Sequence, residues 1–211
     1  YALKNVDFDI YPGKVNVLIG ENGAGKSTLM KILSGVYHND GGKIFLDGKE
    51  VTITSPKQAE EMGIGIVYQE LNLAQKLTVA ENVFLGDALK SKGLIVDWKG
   101  MREEAVKNVR ELAGLEIDPD ELICNLGVAY QQLIELTRVM RKGSRILIMD
   151  EPTAALTEKE IQKLFETVRK LRDDGVAIVY ISHRLEEIEQ IGDNITVLRD
   201  GQLIGRREVK E

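Results

Sequence analysis

The chain has 211 residues, long enough for one large domain or a domain with a subdomain, and its 43% hydrophobic and 29% charged residues exclude a disordered protein. Its formal net charge of −6 argues against a general electrostatic hold on nucleic acid. No apolar run is long enough to span a bilayer, and the single cysteine, Cys124, excludes an internal disulfide, so a cytosolic setting is the simplest interpretation.

The first predicted elements are two strands and a helix. Val6, Phe8 and Ile10 alternate with polar residues before a Pro-Gly turn, which predicts a half-buried strand. A short apolar run predicts a buried strand and consists of Val15, Val17, Leu18 and Ile19. Apolar residues at helical spacing predict a helix over residues 27–36. A buried strand followed by a helix is the setting that a phosphate-binding loop requires.

The loop between this strand and this helix fits a phosphate-binding pattern of separated glycines followed by Gly-Lys-Ser. It reads Gly20-Glu21-Asn22-Gly23-Ala24-Gly25-Lys26-Ser27-Thr28. Its three glycines allow positive φ angles and a close approach of the backbone to phosphate oxygens. Lys26 supplies a charge for the β- and γ-phosphates, and Ser27 supplies a hydroxyl for Mg²⁺. A loop that only turns a strand into a helix is the weaker alternative.

Strand and hairpin signals continue beyond the first helix. Two hairpins are predicted where strand-like runs flank Asp47-Gly48 and Asp200-Gly201, dipeptides favoured in tight turns. A short helix over residues 56–62 leads into an apolar strand over residues 64–68, which delivers Gln69 to its end.

Residues 70–125 change in character and carry mainly helix signals. Thr78 and Glu81 have the spacing of a capping box, and residues 99–113 have apolar residues at helical spacing. We interpret residues 70–125 as a helical insertion. A plain linker is disfavoured because the apolar periodicity can bury one face of a helix.

The last third alternates helices with strands. Helices are predicted over residues 130–140 and 157–172, the second opened by a capping box at Thr157, and buried strands over residues 146–149 and 176–181. This alternation favours a mostly parallel sheet flanked by helices. The predicted fold class is therefore α/β of the P-loop NTPase type, with an antiparallel β subdomain and a helical insertion subdomain.

Polar residues end three of the predicted strands. Asp150 and Glu151 follow residues 146–149 at the edge where open α/β sheets bind ligands, so Asp150 is placed to hold Mg²⁺ and Glu151 to orient or deprotonate an attacking water. A polar strand end that only makes a turn is the alternative. Gln69 and His183 end two other strands and can act on the γ-phosphate, although either residue alone is more often an ordinary polar residue.

The order of these features resembles the ATP-binding cassette family over essentially the whole chain. The motifs that carry the resemblance are residues 20–28, 67–70, 126–132, 146–153 and 181–183. More narrowly, the segments that look like ATP-binding proteins of bacterial monosaccharide importers, such as those for ribose or galactose, are residues 69–73, 77–82 and 150–157. Those proteins carry two cassettes in tandem, and an intact Gly-Lys-Ser loop is typical of the N-terminal one.

The resemblance implies ATP and Mg²⁺ as cofactors, and it implies roles by position. Lys26, Ser27 and Thr28 would bind phosphate and Mg²⁺ together with the rest of the loop. Asp150 and Gln69 would join Ser27 at the metal. The implied catalytic residues are Glu151 as general base, His183 as switch histidine and Gln69 as γ-phosphate sensor.

The resemblance also implies an organisation and a set of partners. Residues 1–69 and 126–211 would form the ATP-binding core, residues 70–125 the helical subdomain, and the chain would be a fragment of a longer tandem-cassette polypeptide. A second cassette C-terminal on that polypeptide would close over ATP and drive a membrane permease, which a sugar-binding protein would supply. The implied location is peripheral, on the cytoplasmic face of the bacterial inner membrane, with no nucleic acid partner.

Three departures from the family pattern bear on activity. Where the family signature reads Leu-Ser-Gly-Gly-Gln, this chain has Leu126-Gly127-Val128-Ala129-Tyr130, which loses a hydroxyl and two glycines. Thr157 replaces a common aspartate but keeps a capping side chain. In the family, the aromatic residue that stacks on adenine lies before the position of Tyr1. Tyr1 is the one candidate in this chain that could take its place. We therefore expect an unequal pair of sites, of which the one built on residues 20–28 hydrolyses ATP.

Two other function classes stay open on the sequence. A nucleotide-binding module that does not hydrolyse ATP is compatible with the altered signature, but Asp150, Glu151 and His183 argue against it. A cassette that acts on DNA or ribosomes is disfavoured by the acidic balance and by the importer-like residues 69–73. The residues do not reveal which sugar is transported.

Overall fold

The computed structural model describes residues 2–88, 90–91 and 95–209. The described chain divides into two compact units. So far as they are described, the first contains residues 2–66, 144–151 and 172–209, and the second contains residues 67–143 and 152–171. The predicted insertion, residues 70–125, falls within the second unit, while the predicted domain boundaries stay a prediction.

The structure contains ten strands and seven α-helices within the described residues. The strands are β1 Val15–Ile19, β2 Ile44–Leu46, β3 Lys49–Val51, β4 Ile64–Val67, β5 Lys90–Ser91, β6 Ile95–Val96, β7 Ile146–Asp150, β8 Ala177–Ile181, β9 Asn194–Arg199 and β10 Gln202–Glu208. The helices are α1 Lys26–Leu33, α2 Pro56–Glu61, α3 Val79–Val83, α4 Trp98–Ala113, α5 Val128–Arg141, α6 Glu158–Asp173 and α7 Leu185–Ile191. No helix among the described residues has the length and apolar character to cross a membrane.

A six-stranded sheet of order β10-β9-β1-β8-β7-β4 organises the fold. Strand β8 pairs in parallel with both β1 and β7, β1 pairs in parallel with β9, and β10 closes one edge antiparallel to β9. The prediction of a mostly parallel sheet flanked by helices is therefore confirmed. Because parallel strands share a direction, the segments that follow β1, β7 and β8 all leave the sheet at its carboxyl edge.

The apolar runs of the central strands form the core of the first unit. Leu18 of β1, Ile148 of β7 and Val179 of β8 are at most 1% exposed and belong to one cluster with Met30 of α1. Strands buried on both faces explain why these segments are mostly apolar. Burying these side chains removes most of their apolar surface from water. Each Å² of buried apolar surface stabilises the folded state by about 25 cal/mol.

The predicted first strand, Val6 to Ile10, does not form. Its apolar residues are partly buried against the core of the first unit, and its polar residues are exposed, as the alternation predicted. The backbone is anchored differently, because the Lys4 amide donates to the Gly201 carbonyl and the Tyr11 amide donates to the Asn16 side chain. The alternation of apolar and polar residues indicates which side chains are buried. An extended segment shows this alternation whether or not its backbone pairs with a neighbouring strand.

Both predicted hairpins are present. Asp47 and Gly48 have φ angles of 51° and 75° between β2 and β3, and Asp200 and Gly201 have φ angles of 48° and 72° between β9 and β10. Positive φ at both central residues is the type I′ geometry that matches the twist of paired strands. The Asp-Gly dipeptides between two strand-like runs identified these turns.

The second unit is organised around three helices. Helices α3, α4 and α5 bury a shared apolar cluster that includes Val83, Phe84, Ala105 and Ile134. The predicted capping box is complete, since the Thr78 hydroxyl accepts from the Glu81 amide and the Glu81 carboxylate accepts from the Thr78 amide.

The second predicted capping box is formed from one side. The Glu160 carboxylate accepts hydrogen bonds from both the amide and the hydroxyl of Thr157 at the start of α6. The backbone bond from Thr157, followed by the hydroxyl bond, lowers the pKa of the Glu160 carboxyl. Thr157 therefore retains a role at this helix start, as the sequence indicated.

The loop that precedes α3 is held by one buried amide. Asn82 is fully buried, and its side chain accepts from the Ala74 amide at 2.8 Å and donates to the carbonyls of Ala74 and Thr78 at 3.1 and 2.9 Å. These bonds fix residues 74–78, which follow the segment of residues 69–73 in the chain.

Removing this side chain should destabilise the fold. We expect Asn82→Ala to lower the free energy of unfolding by about 2–3 kcal/mol, because the partly buried Ala74 amide loses its acceptor and the carbonyls of Ala74 and Thr78 each lose one donor. Asn39→Ala, which removes only exposed hydrogen bonds, should cost less than about 0.5 kcal/mol. Urea unfolding measures both, and equal losses would contradict this role of Asn82.

Candidate active site

The glycine-rich loop lies between β1 and α1, as predicted, and its glycines have different structural reasons. Gly23 and Gly25 have φ angles of 87° and 100°, which residues other than glycine rarely adopt. The expectation of a positive φ is wrong for Gly20, where the constraint is space: a Cβ would collide with the Leu198 carbonyl oxygen. At Gly25 a Cβ would also lie 2.8 Å from the Ala2 carbonyl oxygen.

Lys26 is folded into this loop. Its side chain is nearly buried, and Nζ donates to the carbonyl oxygens of Gly20 and Glu21 at 2.6 and 3.1 Å. Helix α1 starts at Lys26 with Gly25 as N-cap, so no capping side chain covers its first amides. A buried ammonium beside an uncapped helix N-terminus forms an anion-binding environment.

The acidic pair and the histidine meet at the carboxyl edge of the sheet. Asp150 is in register with Ile181 on the neighbouring strand, and the Glu151 amide donates to the Ile181 carbonyl at 3.0 Å. His183 Nδ1 lies 3.2 Å from Glu151 Oε1, which is a hydrogen bond when Nδ1 carries the proton. The sequence placed these two residues on separate strands, and the order of the strands brings them into contact.

Glu151 has an unusual backbone conformation. Its φ angle is 45°, in the left-handed region that non-glycine residues rarely adopt. The Glu151 side chain is 21% exposed, whereas the His183 side chain is 68% exposed. The structure therefore holds the carboxylate in a constrained place, with the imidazole on the solvent side of the contact.

Asp150 carries a charge at the end of a buried strand. Burial raises the pKa of its carboxyl, the neighbouring Glu151 charge raises it further, and Lys26 and Lys31 act in the opposite direction. Among the residues that the structure describes, no group of three or more His, Cys, Asp or Glu side chains can hold a metal ion. A carboxylate with a serine hydroxyl is a donor set that suits Mg²⁺, which keeps several waters.

Gln69 and the signature segment belong to the second unit. Gln69 is exposed and follows β4, and its roles at the metal and the γ-phosphate stay predictions. Residues 126–130 lie at the start of α5, with Gly127 as N-cap at φ −62° and ψ 155° and without a side-chain cap. Tyr1, the candidate for adenine stacking, lies outside the described residues.

The segment after Gln69 is tied to α5 by residues that the sequence analysis missed. Glu135 is fully buried, and its carboxylate accepts from the Asn72 amide at 3.2 Å, while Arg138 donates to the Asn72 carbonyl at 2.7 Å and to Glu135 at 3.1 Å. Burial raises the pKa of the Glu135 carboxyl, against the Arg138 charge and the Asn72 bond. A glutamate within a helix face of buried apolar residues was the available signal.

The charge of Asp150 should reduce stability. Because its folded pKa is raised, the protein favours the neutral carboxyl and loses stability as the pH rises through that pKa. Asp150→Asn should therefore raise the melting temperature at pH 7, and the gain should shrink as the pH falls. The exposed Asp174→Asn should show no such trend, and a lower melting temperature for Asp150→Asn at pH 7 would contradict the assignment.

Comparison with known proteins agrees with this geometry. A family profile described as "ABC transporter" matches residues 3–154. Ribose import ATP-binding proteins RbsA are 52% identical over 211 residues in Geobacillus kaustophilus and 51% over 205 residues in Rubrobacter xylanophilus. The matches cover 100% and 97% of this chain but 42% and 41% of those proteins, so the chain spans about two fifths of their length.

Solved structures show the same fold. A nucleotide-free ATP-binding cassette of an ABC transporter superposes with a TM-score of 0.86 at 25% identity, over 98% of this chain and 85% of that one. A dimeric cassette bound to ADP and Pi in a post-hydrolysis state superposes with a TM-score of 0.82 at 26% identity, over 100% and 92% of the two chains. The motifs, the sheet order and these matches together show that the chain belongs to the ABC transporter family.

Proposed function

We propose that this chain is an ATP-hydrolysing cassette that powers sugar import through a membrane permease. The observation that carries the proposal is the contact of 3.2 Å between Glu151, which follows β7, and His183, which follows β8. Strand β8 lies between β7 and the phosphate-binding loop's own strand, β1. A base and a polar partner at this place match the requirements of phosphoryl transfer to water.

The residues present fit ATP and Mg²⁺. Lys26 and the first amides of α1 would hold the phosphates, as the buried ammonium and the absent cap indicate. Ser27 and Asp150 would hold Mg²⁺, with Gln69 as a third predicted ligand. When bound, Mg²⁺ supplies charge neutralisation on the phosphate oxygens.

The protein's own groups then divide the remaining work. Glu151 orients the attacking water and accepts its proton, since its carboxylate is held at the strand end. His183 reaches Glu151 from the neighbouring strand and is exposed enough to contact the terminal phosphate as well. Gln69 is proposed to sense the γ-phosphate.

The role in sugar import and the partners are inferred from the relatives. Proteins named for ribose import are about half identical to this chain, and their remaining length leaves room for a second cassette. We infer a permease and a sugar-binding protein as further partners, and a peripheral place on the cytoplasmic face of the bacterial inner membrane. The proposed division into a core of residues 1–69 and 126–211 and an insertion of residues 70–125 belongs to the same account.

Removing the base should stop turnover. In the full-length protein assembled with its permease, Glu151→Gln should lower kcat for ATP by about 10²–10⁴-fold, because the amide cannot accept the proton. Glu158→Gln, an exposed change seven residues further on, should leave kcat within about twofold. Retention of most of the ATPase activity by Glu151→Gln would exclude Glu151 as the base.

The altered signature separates the two sites of the proposed cassette pair. Gly127 lacks the hydroxyl that would cap α5 and contact ATP on the opposite cassette, and a Cβ at this position meets no neighbouring atom within 4 Å. We propose that the site facing this signature contributes little turnover.

Restoring the hydroxyl tests this asymmetry. Gly127→Ser should stabilise the fold by a few tenths of a kcal/mol (about 0.3) through an N-cap bond, and Gly127→Ala should destabilise it. The ATPase rate should stay within about twofold for both variants, because one hydroxyl does not restore the two glycines that this signature also lacks. A several-fold rise with Gly127→Ser would contradict the proposal, because the facing site would then be competent.

A further inference from the structure

A buried carboxylate lies behind the His183 turn and takes no part in the proposed chemistry. Glu187 on α7 is 2% exposed, yet both of its oxygens are engaged. Its Oε2 accepts from the Tyr180 hydroxyl at 2.9 Å and from the Ser182 hydroxyl at 2.8 Å, and its Oε1 lies 2.8 Å from Arg184 Nη1.

Two of these partners bracket the histidine in the chain. Ser182 precedes His183 and Arg184 follows it, and the Arg184 amide donates to the Ser182 hydroxyl oxygen at 3.1 Å. The turn is thus closed on itself and fastened to the carboxylate on both sides of residue 183. The His183 side chain leaves this turn toward solvent and reaches Glu151.

The third partner lies outside the turn. Tyr180 is on β8 and fully buried, so its bond to Glu187 fastens α7 to the sheet without touching the residues beside His183. Stability alone does not require a carboxylate here, because well-packed apolar side chains often replace a buried ion pair without loss. A charge that collects donors from both sides of one exposed residue fits a positioning role better.

We propose that Glu187, acting through Ser182 and Arg184, is the positioning residue that holds the His183 turn within reach of Glu151. The inference rests on the proposed ATPase function. Glu187 touches neither nucleotide nor water in this account, and it acts only through the backbone that carries the imidazole.

The test uses four variants of the full-length protein assembled with its permease. Ser182→Ala and Glu187→Gln loosen the turn, whereas Tyr180→Phe weakens the same buried network outside the turn and Glu186→Gln changes a neighbouring exposed carboxylate. We expect the first two to lower kcat about tenfold or more, since misplacement of a reacting group has effects of this size. Their KM for ATP should change by less than about twofold.

The controls separate positioning from stability. Tyr180→Phe should lower the melting temperature about as much as Ser182→Ala does, but it should keep kcat within about twofold of the wild type, as should Glu186→Gln. Equal kcat losses for Ser182→Ala and Tyr180→Phe, or no loss for Ser182→Ala, would overturn the inference and leave the ATPase proposal intact. If Glu187→Gln fails to fold, Ser182→Ala decides alone. A wild-type protein without ATPase activity would overturn the proposed function and this inference with it.

Discussion

The parallel pairing of β8 with both β1 and β7 is the constraint on which the site depends. It delivers the phosphate-binding loop, the Asp150-Glu151 pair and His183 to one edge of one sheet. None of the three segments lies near the others in the chain, and a one-residue slip of β7 against β8 would turn Glu151 away from its partner. The buried apolar faces of these strands fix that register, since a slip would expose them.

Several residues of the site are in conformations or environments that are unfavourable for folding. Burial and the Glu151 charge raise the pKa of Asp150, Glu151 adopts a left-handed φ angle, and Lys26 is nearly buried. Each of these features is unfavourable for folding taken alone, and each is typical of a functional site whose geometry is held by its surroundings. The core strands below the site supply the compensating stability.

Local signals in the sequence predicted the elements well, and non-local ones predicted the site only in part. Turns and helix caps depend on residues that are neighbours in the chain, so the sequence predicted their geometry. The examples are Asp47-Gly48, Asp200-Gly201 and the capping box of Thr78 and Glu81. Val6 to Ile10 has the alternation of a strand, but ladder pairing depends on a partner that alternation does not specify. The need for glycine at position 20 comes from Leu198, which is distant in the chain.

The supporting residues behind the site were the least legible. Glu135 and Glu187 are buried charges within apolar helix faces, and only the folded structure shows that they grip Asn72 and the His183 turn. From sequence, their position on an apolar helix face indicates burial but does not identify a partner. The Asn72 amide as partner of Glu135, and the hydroxyls of Tyr180 and Ser182 as partners of Glu187, are visible only in the folded structure.

We propose that the loop of residues 20–28 serves the one working site of the cassette pair. Vanadate trapping of radiolabelled ATP by the full-length protein assembled with its permease tests this, because trapped nucleotide marks a site that has turned over. One nucleotide should be trapped per full-length protein, and none when Mg²⁺ is removed or when Lys26→Ala deletes the ammonium of the loop. Two trapped nucleotides per protein, or trapping that survives Lys26→Ala, would show that another site turns over.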